Sequence, residues 1–369
     1  MASTSELRVI TTLLSNTMDQ IAPKVSDQVH EARPLTWYMT RLGRGPDLGM
    51  GKGIHPYTGG AKIKFTIRNL KNPNSKWYSR YETLTVAPTE EETDGIDVMR
   101  NLSSTASISG QEVDENRGPA RIREMIREKV DGLIMGLAED YETALVQGQV
   151  GGAGAPQFQR FLPVPQGPNP LGFLIQKSFN NADLVHEVNQ VNETYWRNRA
   201  LLSAPAASFA ALRREQFRLY RQCARGSTPD FPDFGVSDPA YYEVTEAAMT
   251  INQRFPPFAR GEVQSAGFEA IMIKNMTLFS SDFFPNFGAT AADTVSLVQN
   301  EASAGALFLN TRAYELWVSD RVNMQMSAWI EPYNQDAIHG KMLHRVQAVA
   351  RERRKLGLHY NVPASTLTA

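Results

Sequence analysis

The chain has 369 residues, 42% of them hydrophobic and 21% charged, which is ample material for a sizeable core and favours two domains over one. Lysine and arginine total 38 against 39 acidic residues, so no global field draws the chain to nucleic acid or an anionic membrane, and any such contact has to be local. The single cysteine, Cys223, excludes an internal disulfide and a Cys-rich zinc site and reads as a small core residue of a chain that folds in a reducing cytosol.

Leu7, Ile10, Leu14, Met18 and Ile21 recur at helical spacing, and Pro23 and Pro34 then interrupt, so an amphipathic helix feeding an irregular arm is expected. The first twenty residues lack the charged start and apolar run of a signal peptide, and no apolar stretch is long enough to span a bilayer. Between Leu42 and Gly60 seven glycines and two prolines predict a loop. Lys62 to Arg68 alternates polar with apolar residues and predicts a strand. A second strand is expected from Ser103 to Ser109. Between them runs a long polar arm bearing Trp77, Tyr78, Arg80 and Tyr81, then Glu90, Glu91, Glu92, Asp94 and Asp97. Loops this long inside a domain tend to be functional, and aromatics on a polar arm need a surface to bury against. The candidate surface belongs to another subunit.

From Pro119 to about Gln147, Ile122, Met125, Ile126, Val130, Leu133, Ile134, Leu137, Tyr141 and Leu145 lay one apolar stripe along a helix roughly 43 Å long. Pro119 suits its first turn and Gly148 its C-terminal stop. Residues 148–172 hold six glycines and five prolines and mark a boundary and a hinge. Beyond it, helices are expected over Asp183–Leu201, Ala206–Arg221 and from Asp238-Pro239 to about Asn252. Paired strands with a turn at Lys274-Asn275 are expected within Phe268–Ser280, and further strands within Leu307–Val318 and His344–Tyr360. The class is mixed α+β, without a βαβ alternation or a fixed repeat.

Catalytic motifs fail on inspection. Gly51-Lys52 lacks the earlier glycine of a phosphate loop, where Pro46 stands, and the following Ser or Thr, where Gly53 stands. His339 and His344 lie five apart and face different ways, and Ser303 lacks the leading glycine of a nucleophile elbow because Glu301 replaces it. Neither a metal nor another cofactor is expected. The basic run Arg351, Arg353, Arg354 and Lys355 could touch phosphates, or meet the acidic arm of a neighbouring copy, though a solvated or inter-subunit turn is the simpler account.

The order of pieces resembles the major capsid proteins of tailed bacteriophages, with their Johnson (Hong Kong 97-like) fold. The likeness rests on Gly59-Gly60-Ala61-Lys62-Ile63-Lys64-Phe65 entering the arm, Trp77 to Leu84 within it, and Ile108-Ser109-Gly110-Gln111-Glu112 leading out toward Asn116-Arg117-Gly118. Phe308-Leu309-Asn310-Thr311, Trp329 to Ala337 and Arg353-Arg354-Lys355-Leu356-Gly357 carry it through the late segment. The resemblance implies an N-terminal arm over 1–60, an extended loop over 61–112, and a peripheral domain over 113–172 with a spine helix at 117–147. It further implies an axial domain over 173–335 and a return to the peripheral domain over 336–369. The implied product is an icosahedral shell of hexamers and pentamers around double-stranded DNA, assembled in a bacterial host, with no catalysis and no membrane. Its implied partners are other copies, a portal, scaffolding or decoration proteins, and DNA held by non-specific contact. In some relatives a loop lysine and a distant asparagine are joined covalently, which directs attention to Lys71, Lys76 and Asn334. Two other readings stay open: a cytosolic enzyme with an undetected site in the second domain, and an encapsulin-like nanocompartment shell.

Overall fold

The structure, a computed structural model, describes Leu35, Thr36, Met39, residues 54–68, 72, 74–84, 87–88, 90–115, 119–150, 161–162, 166–176, 184–203, 208–224, 231–249, 270–281, 283–284 and 304–363. Within the long helix it describes side chains from Ile126 onward, except residue 128. The expected helix at residues 5–21 and Lys71 lie outside the described residues.

In chain order the elements are β1 (Ile54–Tyr57), β2 (Ile63–Arg68), β3 (Glu92–Asp97), β4 (Arg100–Ser109), α1 (Gly110–Glu115), α2 (Pro119–Val146), β5 (Gln149–Val150), β6 (Phe161–Leu162) and α3 (Leu171–Leu174). There follow β7 (Leu184–Val185), β8 (Val188–Asn189), a 3-10 turn at Thr194–Trp196, β9 (Arg199–Leu202), α4 (Phe209–Cys223), β10 (Phe234–Ser237) and α5 (Pro239–Ala248). The chain continues through β11 (Ala270–Ile273), β12 (Met276–Ser280), β13 (Ala304–Leu309), β14 (Tyr314–Ser319), β15 (Gln325–Met326), β16 (Ala337–Ala350) and β17 (Gly357–Val362).

The long helix α2 begins on Pro119, as its missing N–H permits, and ends where Gly148 takes φ +64° and returns its N–H to the Thr143 carbonyl at 3.0 Å. Its stripe is buried: Ile126, Val130, Leu133, Ile134 and Leu137 pack on Ala106 and Ile108 of β4, Ile338 and Met342 of β16, and Trp329. Strand β16 has 14 residues and spans about 46 Å, against about 42 Å for α2, so helix and strand can brace each other over their lengths. Strand β4 pairs antiparallel with β16 from Arg100↔Val346 to Ser109↔Ala337.

Two larger sheets result. In one, β1, β14, β16 and β15 lie in that order with β4 added on β16; in the other the order is β11-β12-β10-β13-β17-β9. Period-two alternation buries the second sheet on both faces: Leu307 and Leu309 turn to a core with Leu145, Leu171 and Leu174, while Ala306 and Phe308 turn to α4 and α5. Ser208 and Asp238 cap α4 and α5 by accepting from the N–H groups of Ala211 and Ala240. Cys223 is buried, and burial pushes its thiol up to about 12.

Several expectations change. Residues 54–57 form an edge strand parallel to β14, not a loop; His55 stacks on Trp317 at 5.3 Å. Asp183–Leu201 is not a helix in its described part but a hairpin, a 3-10 turn and a strand, because His186 and Glu187 both take positive φ (57° and 64°), the geometry of a two-residue hairpin turn. Its helical spacing is incidental, since Leu184 and Tyr195 of that stripe are exposed. Chain crossings also differ. β14 already belongs with β16, and β17 leaves that sheet to pair with β13 and β9, so the passages between sheets fall at residues 310–313 and 351–356. The described end of the Gly/Pro-rich stretch is packed rather than loose: Pro168, Asn169, Pro170 and Leu171 are buried, and Asn169 Nδ2 donates to Asp97 and to the Ala348 carbonyl.

Candidate assembly surface

Strands β2 and β3 form an antiparallel hairpin in register from Ile63↔Asp97 to Arg68↔Glu92, and the arm extends beyond its open end. At the base, Ile63 and Phe65 are buried against Val188, Trp196 and Val349. Gly95 lies under the Phe65 ring, where an added Cβ would stand 2.5 Å from Phe65 Cζ.

The base is pinned by one carboxylate. Asp97 accepts from Nδ1 of buried His186, from Asn169 Nδ2 at 3.1 Å and from Gln347 Nε2 at 3.2 Å. His186 Nε2 accepts the Ala350 N–H at 3.1 Å, which leaves the proton on Nδ1 for Asp97, so the neutral ring satisfies both bonds. The junction joins the hairpin to β7–β8, to the Gly/Pro-rich stretch and to β16.

Further out the arm is held by polar contacts, and among the described residues its aromatics are left exposed. Lys76 Nζ meets Glu82 Oε1 at 2.7 Å, the Ser79 N–H donates to Glu82 Oε2 at 3.1 Å, and Asn74 Nδ2 donates to the Ala87 carbonyl at 2.7 Å. Lys76, with the Ser79 N–H, holds the Glu82 carboxyl below the usual carboxylate range. Around this polar turn Trp77 is 100% exposed, Tyr81 91% and Tyr78 66%, and the Arg80 guanidinium lies 5.9 Å from the Tyr81 ring centre. A second exposed group lies far along the chain: Ile330 is 60% exposed and Tyr333 fully so, beside exposed Asn334, in the turn before β16.

The charged candidates divide. Asp94 pairs with Lys64 at 2.6 Å, which holds its carboxyl low, and Glu92 pairs with Arg68 at 3.5 Å. Both serve their own hairpin. Glu90 is exposed and Glu91 half-buried. On the basic side Arg353 is corrected outright: it is fully buried, donating to the carbonyls of Leu174 (2.7 Å) and Trp196 (3.2 Å) and to the side chains of Gln190 (2.7 Å) and Asn198 (3.2 Å). Burial lowers it to about 9. Lys355 is buried against Glu352 at 2.7 Å, and Arg351, exposed, meets buried Glu315 at 3.3 Å. Arg354 is half-buried. Arg353 and Lys355 thus pack into the 351–356 crossing, and of the four only Arg351 is exposed.

Sequence reasoning missed Glu142. It is fully buried on α2 and accepts the N–H groups of Leu35 (3.2 Å) and Thr36 (3.1 Å) as well as the Thr36 hydroxyl, tying the N-terminal segment to the spine. An acid flanked at helical spacing by Ala138, Leu145 and Val146 was the available signal. Sequence reasoning also overlooked Ser109 and Glu112, which close a reciprocal capping box at 3.2 Å on α1. Among the described residues no group of three metal-ligating side chains converges, and no helix is long and apolar enough to cross a membrane.

This architecture is that of known shells. The chain is similar to the capsid of the native GTA particle (TM-score 0.52, 11% identity, 85% of this chain and 89% of that one), to the empty GTA particle (0.53, 11%, 85% and 88%), and to the capsid of cyanophage A-1(L) (0.56, 11%, 82% and 88%). No protein-family model matches the sequence, and no curated protein matches it. At such identity the likeness establishes the fold: an α+β capsid fold of the tailed-phage type, with extended hairpin, spine helix and two sheet-centred regions.

Proposed function

We propose that the chain is the major shell protein of a phage-type particle, assembling with copies of itself into a closed icosahedral shell around double-stranded DNA. The observation that carries the reading is the arm. Trp77, Tyr78 and Tyr81 sit on an internally hydrogen-bonded turn with their rings in solvent, a state that is unfavourable for three large aromatics unless a partner covers them. A neighbouring copy is the partner that the shared fold favours. The buried stripe of α2 and the long β4–β16 ribbon fix the distance between arm and body, so each copy would present its arm in one direction. Closed symmetry then makes every copy multivalent, and ordinary pairwise contacts accumulate into a stable container. Hexamer and pentamer organisation, a portal and scaffolding partners belong to this reading as proposals.

Expression of the chain followed by sedimentation and electron microscopy tests it. Shells, tubes or sheets are expected. A sharp monomer or dimer across a range of salt, with none of these forms, would overturn the reading in favour of an enzyme that uses its arm to dimerise.

A further inference from the structure

The basic run at residues 351–355, for which a turn was the simpler sequence reading, leaves only Arg351 of its cations exposed, but a second group of cations faces solvent elsewhere. On α4, Arg214, Arg218 and Arg221 are all exposed and follow one another at i, i+4 and i+7, so they share one narrow stripe on the solvent side of a helix whose other side buries Leu212, Leu219 and Cys223. Lys274, exposed at the β11–β12 turn with φ +56°, reaches across the same helix, its Nζ 4.8 Å from the Phe217 ring centre and 5.5 Å from that of Tyr220. Among the described residues none of these four cations meets a carboxylate. Lys64, Arg68, Lys76 and Lys129, by contrast, each meet a carboxylate. Four uncompensated charges on a chain of net charge −1 make a local positive field.

We infer that Arg214, Arg218, Arg221 and Lys274 form a contact for the phosphate backbone of duplex DNA, an inference that rests on the shell reading above. Spacing supports this occupant. The three arginines span about 10 Å of helix axis, about three of the roughly 3.4 Å phosphate steps of one DNA strand, so the stripe reaches across about four phosphates. The competing occupant is the acidic arm of a second copy, in which Asp94 and Glu92 already pair with Lys64 and Arg68 of their own hairpin while Glu90 stays exposed, and assembly scored beside DNA binding separates the two. Cations of this kind neutralise phosphates without reading bases, so the contact is to backbone and independent of sequence.

The test is a salt titration of binding between the full chain and a random-sequence DNA duplex. Four phosphate contacts predict a log K against log [salt] slope of about −3.6, and the variant R214Q/R218Q/R221Q flattens it by about 2.7. Glutamine is a good helix former, so circular dichroism should be unchanged. A charge-matched variant at other exposed cations, R312Q/R321Q/K341Q, keeps the slope of the parent. The inference is overturned if the α4 variant keeps the parental slope, or if both variants flatten it equally, since the field would then be diffuse. It is equally overturned if the α4 variant binds DNA normally but fails to assemble, which would make the stripe a contact between copies. Assembly scored in parallel by electron microscopy separates the two readings: shells without a slope change sink only the DNA contact, and absence of shells from the parent sinks the shell proposal itself.

Discussion

At the scale of single residues, polar groups placed inside the core do more to define this molecule than its surface charges. Arg353 satisfies four oxygens contributed by α3, the loop after β8, the 3-10 turn and Asn198 just before β9, so Arg353→Ala strands those acceptors in a dry site. The expected loss is about 3–5 kcal/mol in denaturant unfolding, against less than about 0.5 kcal/mol for Arg312→Ala at the surface; equal losses would refute the role. Asp238 behaves differently. Burial pushes its carboxyl from 3.8 up to about 6 although it caps α5, so the folded state favours the protonated form. That contribution is fully present below about pH 4 and is lost as pH rises through about 6. Asn caps as well as Asp without ionising, so Asp238→Asn should gain stability relative to the parent between pH 4 and 7, and a constant difference across that range would contradict the account. Asp238 was legible in the sequence as a cap, but Arg353 was not placed: a basic run reads as solvated, and only the fold shows that its second arginine turns inward.

Elements were legible where local chemistry and tertiary packing agree. The spine was readable from its stripe, Pro119 and Gly148, and α5 from Asp238-Pro239, because caps and periodicity act within a few residues. The β11–β12 turn at Lys274-Asn275 was readable for the same reason. The segment after residue 183 was not, because two left-handed residues and the burial of Val185, His186 and Trp196 override a chance helical spacing. The arm's exposed aromatics were foreseen, whereas its anchor, Asp97 with His186, Asn169 and Gln347, joins residues up to 250 positions apart and leaves no local trace. Two predictions belong to this scale. Gly95→Ala drives a Cβ into Phe65 and should cost about 1–3 kcal/mol, with part recovered in the double variant Gly95→Ala/Phe65→Leu; purely additive effects would show that the ring and the glycine do not meet. Glu142→Ala should release the segment around Leu35 to limited proteolysis, and an unchanged cleavage pattern would show that the N-terminal segment is held by other means.

Across the whole molecule, one core joins both large sheets. Phe234, Leu307 and Leu358 of one sheet and Leu316, Val346 and Ala348 of the other enter the same apolar cluster with Tyr141 and Leu145 of the spine. Two chain crossings and the buried Arg353 reinforce the connection, and the described end of the Gly/Pro-rich stretch is fastened into it. The body is therefore built to hold its parts in register, while the arm projects with its aromatics uncovered. Hydroxyl-radical footprinting of Trp77, Tyr78 and Tyr81, in the dissociated chain and in its assembled form, tests this most directly. The account predicts rapid oxidation of all three rings in the free chain and strong protection after assembly. Equal oxidation in both states would contradict it.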